Sequence, residues 1–303
     1  MSLDFFVIGA QKAGTTSLHA YLSSHPKIIL PKGKEAMFFY DNSLYSKGMA
    51  WFLSSFFPKK TKGDLFGTVT PQYMGYLDSI ERIHEACPNS KIIAVLRDPI
   101  ARARSHYRMR VMAFGETRSF EDVITSQLEG RNLADSRFSP SPSNSFIVWG
   151  EYGRILAKYL KIFKREQLLV IYLDDLDRDP QAELKKIHFF LGVEIKNTTD
   201  LPTRYNVAAN KRSFNLKTAI ANTLDNNLVK SLGRRFIPIV LKRRLVFWSI
   251  VNRNKTKNSY LLEAELKPEI KSKLYAHFYD DLILLEQCGI KNIPWKHEFS
   301  EFK

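Results

Sequence analysis

The chain has 303 residues, of which 44% are apolar and 25% charged, and its formal net charge is +15. These fractions are typical of a soluble globular protein, and the lack of any run of about eighteen uncharged apolar residues predicts no membrane span. The positive charge favours an anionic partner, whether a nucleotide, an acidic glycan, a nucleic acid or an anionic lipid surface. Because the first apolar segment begins almost at the first residue, we expect no signal peptide.

The first half of the chain contains two predicted units of a strand followed by a helix. The segment "FFVIGA", which starts at Phe5, is predicted to be a buried strand, and the next helix runs from about Thr16 to Ser24. The segment "SKIIAVLRDP", Ser90 to Pro99, is predicted to be a second apolar strand. Its helix is expected to start with Asp98 as the N-cap residue and Pro99 at the first helical position.

A third strand is predicted in the second half of the chain, in "EQLLVIYLDDL" from Glu166 to Leu176. It is preceded by the helical segment "EYGRILAKYLKIF" and followed by "PQAELKKIHFFLGV", whose helix is expected to end at Gly192. Alternation of strands and helices is typical of parallel sheets. The sequence therefore predicts an α/β fold with a P-loop-like parallel sheet flanked by helices, as a single domain over residues 1–303.

Three further segments lie outside these units. The Ser/Pro-rich stretch from Arg131 to Asn144 is predicted to be a loop. A basic helical insertion is expected around residues 215–260, and the tail from about Leu261 is predicted to be an amphipathic helix.

The turn after the first strand, "GAQKAGTTS", resembles a phosphate-binding loop whose lysine has moved. Gly9 and Gly14 have the separation found in triphosphate-binding loops, but Thr15 follows Gly14, and the lysine stands earlier at Lys12. Backbone N–H groups at a helix N-terminus attract anions. We therefore expect a short phosphate-bearing group to bind at the residues Lys12, Ala13, Gly14, Thr15, Thr16 and Ser17. The alternative is an ordinary turn with a solvated lysine.

A second phosphate-binding cluster is predicted at the end of the second strand. A triphosphatase needs magnesium, which is usually held by an acidic residue at this place, but the strand here ends with Arg97. An arginine side chain binds phosphate through a fork of N–H donors without a metal ion. Ser105 follows Arg97 by eight residues and lies on the helix that is predicted after this strand. The two clusters together predict a nucleotide with two phosphate groups and no metal site.

The segments "GAQKAGTTSL" and "VLRDPIARARSHY" closely resemble the paired signatures of sulfotransferases that use 3′-phosphoadenosine 5′-phosphosulfate, PAPS. The likeness is greatest to the branch that contains the heparan-sulfate sulfotransferases and their bacterial relatives. It implies the sulfotransferase fold, with PAPS as co-substrate and the 5′-phosphosulfate in the first loop. The Arg97–Ser105 pair would hold the 3′-phosphate. A hydroxyl or an amine, on a carbohydrate or glycolipid, would accept the sulfuryl group.

The same resemblance implies roles for individual residues. Lys12 would stabilise the leaving phosphate oxygen, and Glu35 in "KEAMFFYD" would act as the general base. The neighbouring Phe38 and Phe39 are expected to shield Glu35 from water and raise its proton affinity. The alternatives are a solvated Glu35 paired with Lys34, and a different base.

The alternative base is His106, because histidine fills this role in another branch of the family. In "YNVAANKRSFNLK", Lys211 and Arg212 resemble, together with Ser213, the basic loop over the adenine and the 3′-phosphate. They are therefore expected to contact the nucleotide.

One departure from the resembled branch concerns the acceptor. Members of that branch often carry a charged pair before "TP", whereas "GTVTPQY" has Thr68 and Val69 there. Loss of that charge weakens the case for a strongly anionic acceptor such as heparan sulfate. Thr70, Pro71 and Tyr73 are expected to line the acceptor cleft.

Two other functions stay open at this point. A metal-dependent nucleotide kinase or triphosphatase predicts a lysine after Gly14 and an acidic strand end, where the chain has Thr15 and Arg97. A basic nucleic-acid-binding protein fits the charge, but its usual signatures are missing.

The basic region from Lys230 to Lys257 is open to several interpretations. It fits an anionic membrane surface, an acceptor cleft, or amphipathic helices with basic outer faces. Cys87 and Cys288 lie far apart and in no metal-ligand spacing, which favours reduced thiols over a disulfide. We therefore expect a cytoplasmic protein, with contact to the inner face of a membrane as a variant of that location.

Overall fold

The computed structural model describes residues 2–59, 61–194 and 266–301. Its centre is a five-stranded parallel sheet with the strand order β2-β3-β1-β4-β5. Helices flank this sheet, so the predicted parallel sheet covered by helices is confirmed. The strands are β1 (Phe5–Gly9), β2 (Ile28–Ile29), β3 (Leu65–Val69), β4 (Lys91–Leu96) and β5 (Leu168–Tyr172).

The helices of the described residues follow the strands in chain order. They are α1 (Thr15–Ser23), α2 (Asn42–Tyr45), α3 (Gly48–Phe56), α4 (Asp78–Ala86), α5 (Pro99–Phe114), α6 (Phe120–Leu128), α7 (Gly130–Phe138), α8 (Tyr152–Leu160), α9 (Leu173–Arg178), α10 (Pro180–Leu191), α11 (Pro268–Gln287) and α12 (Lys296–Ser300). Short 3₁₀ turns lie at Met37–Phe39, Val148–Gly150 and Arg165–Gln167.

The central strands are continuous apolar runs because helices cover the sheet. All five residues of β1 are buried, and in β4 only the first residue, Lys91, is partly exposed. Phe5 of β1 lies opposite Gly67 of β3 on one side and Lys91 of β4 on the other. Buried parallel strands have this sequence pattern because neither face of the sheet meets water.

Two helix boundaries agree with the sequence signals. The carboxylate of Asp98 accepts a hydrogen bond from the backbone N–H of Ala101, and Pro99 is the first residue of α5, so the predicted cap is confirmed. Asp179 caps α10 in the same way, and that helix ends before Gly192 as predicted. The tail is helical as predicted, although α11 begins at Pro268.

Two of the sequence predictions were wrong in part. Residues 131–138 of the expected loop belong to helix α7, whose Arg137 pairs with the buried Glu151. The Ser/Pro-rich end is a turn in which Ser141 donates its backbone N–H to the side chain of Asn144. The third strand is shorter than predicted. It ends at Tyr172, where helix α9 begins and carries aspartates in its first turn.

A buried ionic cluster joins the tail helix to the rest of the fold. Glu151, which is 1% exposed, accepts a hydrogen bond from Nη2 of Arg137 at 2.6 Å and lies 3.1 Å from Nε2 of His277. It also accepts from Nε of Arg154. The carboxylate of Asp281 accepts from the first backbone N–H groups of α8. Helices α7, α8 and α11 are therefore joined through the carboxylate of Glu151.

Several predictions concern residues that the structure does not describe. The basic insertion at 215–260, including Lys230–Lys257, lies outside the described residues. Within the described residues, none of the helices has the length and apolar character needed to cross a bilayer. Both cysteines are free thiols, and Cys87 is buried.

Glu151→Gln is expected to destabilise the protein by about 2 kcal/mol at pH 7, because the partly exposed Arg137 and Arg154 lose the buried charge that they share. Burial alone would raise the pKa of Glu151, but hydrogen bonds from His277 and Arg137 and the nearby charges lower it to about 2. The stabilisation is thus present above the pKa of an unfolded glutamate and is lost as the pH falls from about 4.5 toward 2. Urea denaturation at pH 7 and pH 3 measures both effects.

The matched control is Glu286→Gln, which removes a half-exposed ion pair with Lys296. This variant should lose less than about 1 kcal/mol. Equal destabilisation by the two substitutions, or a gap between wild type and Glu151→Gln that widens at low pH, would contradict the assigned role of Glu151.

Candidate active site

The candidate active site lies where the carboxyl ends of β1, β3 and β4 meet. β1 is the central strand of the three and continues into the loop that carries Lys12. β4 leads directly into Arg97, and β3 into Thr70. In open parallel sheets, ligands bind at this edge, where the strand order reverses.

The loop after β1 is held in one conformation by the sheet and by the packing of Gly14. The backbone N–H of Ala10 donates to Val95 of β4, and that of Ala13 donates back to Ala10. Gly14 has φ = 80°, and a Cβ atom there would lie 2.6 Å from Cδ1 of Leu173. Lys12 also has a positive φ, 74°, which is rare for a residue with a side chain.

Helix α1 presents its N-terminus to this loop. It begins at Thr15, has no side-chain cap and carries no acidic residue in its first turn. The first N–H groups of a helix lack carbonyl partners within it, and the helix dipole makes that end positive. Of the residues predicted to bind the phosphate-bearing group, Ala13, Thr15 and Ser17 are buried and Thr16 is half-buried. An anion is therefore favoured at this turn.

The two predicted phosphate-binding clusters lie side by side. Nη1 of Arg97 donates to the backbone carbonyl of Lys12 at 3.1 Å, and the hydroxyl of Tyr152 donates to the carbonyl of Arg97 at 2.9 Å. This contact brings the strand-end arginine onto the loop after β1. Ser105 is half-buried in the second turn of α5, and its part in the site stays a prediction.

Positive charge converges on Lys12. Burial lowers the pKa of Lys12, and the positive charges of Lys34, Arg97 and Arg102 lower it further. The carboxylate of Glu35 acts in the opposite direction and raises the pKa of Lys12. Because each cation raises the energy of its neighbours, this arrangement favours an anionic ligand.

Arg102 is a buried cation that sequence analysis did not select. Its side chain is fully buried and donates through Nη2 to the carbonyl of Phe146, but Nε and Nη1 find no acceptor among the described residues. Burial lowers the pKa of Arg102 to about 10, and the charge of Arg97 contributes to this shift. A possible signal was its position among buried residues of α5, since Ala103 and His106 are also buried. An anion near this guanidinium would lower the energy of the unpaired charge.

Glu35 lies beside the cation cluster, which consists of Lys12, Arg97 and Arg102, but its environment differs from the prediction. One carboxylate oxygen is 3.2 Å from Nζ of Lys34, and the other accepts from Nε2 of Gln72 at 2.8 Å. The side chain is 35% exposed, whereas the rings of Phe38 and Phe39 are buried in the core. The expectation that these rings desolvate Glu35 was wrong, because the 3₁₀ turn directs them inward.

The residues expected to line the acceptor cleft instead support Glu35 from below. Thr70 and Tyr73 are fully buried, and Pro71 is buried as well, so they do not line a cleft. The Oγ1 atom of Thr70 accepts from the backbone N–H of Ala36 at 3.0 Å, and the hydroxyl of Tyr73 donates to the carbonyl of Ala36. Gln72, in the same "TPQY" segment, was missed because its contact with Glu35 spans 37 residues.

His106 is not an accessible base in this structure. Its ring is fully buried and stacks on Trp149, with ring centroids 5.4 Å apart. Burial lowers the pKa of His106 well below its usual range, and the charge of Arg102 adds to this effect. The expected nucleotide contacts Lys211 and Arg212, with Ser213, lie outside the described residues.

Three comparisons with known proteins agree on one family. The sulfotransferase domain family matches residues 2–227. The heparan sulfate glucosamine 3-O-sulfotransferase 3B1 of Mus musculus is 32% identical over 188 residues, which are 62% of this chain and 45% of the mouse protein. The heparan sulfate glucosamine 3-O-sulfotransferase 6 of Homo sapiens is 30% identical over 241 residues, covering 79% of this chain and 66% of the human protein.

The crystal structure of a sulfotransferase from Alicyclobacillus acidocaldarius has the same fold. It aligns with a TM-score of 0.64 over 98% of this chain and 99% of that chain, with 24% sequence identity. This likeness shows the fold alone. The chain spans less than half of the length of the mouse relative, so the relatives' whole activities do not carry over directly.

Thr70→Val is expected to destabilise the protein by about 1–3 kcal/mol, because the buried N–H of Ala36 loses its acceptor. Thr68→Val is the matched control. Thr68 is also fully buried, two residues earlier in the chain, but its Oγ1 atom has no hydrogen-bond partner in the part of the chain that the structure describes. That variant should be neutral or slightly stabilised. Urea denaturation compares the two, and equal effects would show that Thr70 does not anchor the Glu35 segment.

Proposed function

Because the chain belongs to the sulfotransferase domain family, we propose that it transfers a sulfuryl group from PAPS to a hydroxyl of a carbohydrate or glycolipid. The observation that carries this proposal is the contact between Nη1 of Arg97 and the carbonyl of Lys12. Because this contact joins one residue of each predicted phosphate-binding cluster, it supports the binding of one doubly phosphorylated nucleotide.

The donor site is proposed at the cation cluster. The loop from Lys12 to Ser17 would bind the 5′-phosphosulfate, and Arg97 with Ser105 would bind the 3′-phosphate. The convergence of charge on Lys12, and the unpaired donors of Arg102, support a strongly anionic ligand at this place. Lys211 and Arg212 would complete the site over the adenine.

The reaction is proposed as an in-line displacement at sulfur. The bond from the acceptor oxygen to sulfur forms while the bond from sulfur to the bridging phosphate oxygen breaks. PAPS supplies a sulfuryl group on a good leaving group. Lys12 would stabilise the negative charge on the departing oxygen, and Glu35 would take the proton of the acceptor hydroxyl.

The two candidate catalytic groups lie near each other, which supports this division of roles. Glu35 is close enough to Lys12 to oppose the lowering of its pKa. Gln72 and Lys34 each hold one oxygen of Glu35, so the carboxylate has a defined orientation. A base held in one orientation keeps the acceptor proton within reach as the new bond forms.

The acceptor class rests on the named relatives, which are heparan sulfate sulfotransferases. A carbohydrate or glycolipid acceptor is the corresponding proposal for this chain. The comparisons give no support to a kinase, a triphosphatase or a nucleic-acid-binding protein. A cytoplasmic location and contact with an anionic membrane stay predictions, because the basic region lies outside the described residues.

The nucleotide product, 3′-phosphoadenosine 5′-phosphate (PAP), is expected to raise the melting temperature without magnesium. At a concentration about 100 times its dissociation constant, the shift should be about 5 °C or more. Arg97→Gln should lose most of this shift. Arg165→Gln is the control, because Arg165 precedes β5 at the opposite edge of the sheet. Stabilisation by ATP only with magnesium, or by oligonucleotides alone, would contradict the proposal.

Glu35→Gln is expected to keep the PAP shift and to lose at least about 100-fold in turnover, because the acceptor proton has no base. The assay uses radiolabelled PAPS with a panel of glycans, glycolipids and small phenols. Glu85→Gln is the control, since Glu85 lies on α4 and accepts from Tyr45 at 3.2 Å. Normal turnover by Glu35→Gln would remove Glu35 from the role. Transfer by the wild-type protein to phenols alone would contradict the acceptor class.

A further inference from the structure

Two chain segments, one of which begins with Glu35, are joined by several contacts. The segments are residues 35–40 and residues 70–76. In the core, the backbone of Ala36 bonds to the side chains of Thr70 and Tyr73. Nearer the surface, Gln72 donates to Glu35. The position of Glu35 relative to the second segment is therefore fixed by three separate side chains.

Tyr40 and Tyr76 form a further link between the same segments. Their rings stack in parallel, with centroids 4.7 Å apart and an interplanar angle of 8°. Tyr73 and Tyr40 meet in an edge-to-face arrangement with ring centroids 6.0 Å apart. Trp149 and Tyr76 meet in the same way, with centroids 5.9 Å apart. The stacked pair is thus held by rings on both sides.

The packing leaves the hydroxyl groups of this pair for a ligand. Tyr40 and Tyr76 are both half-buried, and one face of each ring stacks on the other ring. Within the described part of the chain, neither hydroxyl makes a hydrogen bond to a protein atom. Next to Tyr76, a Cβ atom on Gly75 would lie 2.4 Å from Nε1 of Trp149, so position 75 has no room for a side chain.

The pair is uncharged and lies close to carboxylates. Burial raises the pKa of Tyr40, and the charges of Glu35 and Asp41 and the hydroxyl of Tyr76 add to this effect. Burial also raises the pKa of Tyr76. Both hydroxyls therefore stay protonated at neutral pH and act as neutral donors and acceptors beside Glu35. Two nearby cations already have partners: Lys34 pairs with Glu35, and Arg82 donates to the carbonyl of Phe39 and to the side chain of Asn42.

We propose that Tyr40 and Tyr76 bind the acceptor, and that they select an uncharged, hydroxyl-bearing sugar ring at the position next to Glu35. This inference rests on the proposed function, in which Glu35 is the base. The phenolic hydroxyls match the alternating donor and acceptor character of sugar hydroxyls. A carboxylate or sulfate on the same ring would face Glu35 and Asp41 and be repelled.

The buried strand β3 supports the same selection. Thr68 and Val69 occupy the positions where the resembled branch often has a charged pair, and both are fully buried. Neither of them supplies a cation at the surface beside Tyr76. An anionic ring at this position would therefore lack compensation from β3.

The test compares methyl β-glucoside with methyl β-glucuronide, which differ by one carboxylate, as ligands of the PAP-loaded full-length protein. Saturation-transfer NMR at 150 mM salt, about physiological ionic strength, should show binding of the glucoside and weaker binding of the glucuronide. Tyr40→Phe and Tyr76→Phe should each weaken binding of the glucoside by about three- to tenfold, as expected for loss of one neutral hydrogen bond. Tyr45→Phe is the control, since its hydroxyl donates to Glu85.

The outcomes separate this inference from the proposed function. Stronger binding of the glucuronide, no binding of the glucoside, or unchanged binding by the double variant Tyr40→Phe/Tyr76→Phe would each overturn the inference. The double variant should keep the full PAP-induced rise in melting temperature, because it leaves the cation cluster intact. Failure of PAP to stabilise even the wild-type protein would instead refute the proposed function.

Discussion

The arrangement of the site depends on an excess of positive charge at the carboxyl ends of β1 and β4. Lys12, Arg97 and Arg102 come from a loop, a strand end and a helix, and the sheet register brings them together. Like charges at short range repel, and an unpaired buried guanidinium is costly. The apolar core of the parallel sheet provides the stability that offsets this repulsion. A fold under such constraint gains most when an anion binds, which is the property that a nucleotide-binding site needs.

The carboxylate of Glu35 is the counterpart of this charge, and its position is determined by a different part of the fold. The segment that carries Glu35 rests on Thr70 and Tyr73, which are fully buried after β3. The cation cluster rests on β1 and β4. Since β3 and β4 both pair with β1, one sheet fixes the distance between the two halves of the site. Changes in the core of β3 are therefore transmitted to Glu35 without any direct contact with a ligand.

Sequence alone predicted the parts of the structure that are specified locally. Asp98 and Pro99 define the start of α5, and the loop around Gly14 follows a strand, so both could be placed from neighbouring residues. Helix α7 was missed because the Ser/Pro-rich segment favoured a loop, and its contact between Arg137 and Glu151 is a tertiary contact that the local pattern does not reveal. The shielding of Glu35 was wrong for a related reason. The direction of the Phe38 and Phe39 side chains depends on packing across the core, which spacing in the sequence does not reveal.

The proposed donor and acceptor subsites differ in electrostatic character, and that difference affects where each substrate binds. A strongly anionic molecule is attracted toward Lys12 and Arg97 and repelled from the surface of Glu35 and Asp41. A neutral sugar experiences neither force to the same extent, and its position is set by hydrogen bonds to hydroxyls. If the proposed function holds, the two substrates would be sorted by charge before any specific contact forms. The pairing of Lys34 with Glu35 marks the boundary between the two regions, because each side chain reduces the field of the other at that point.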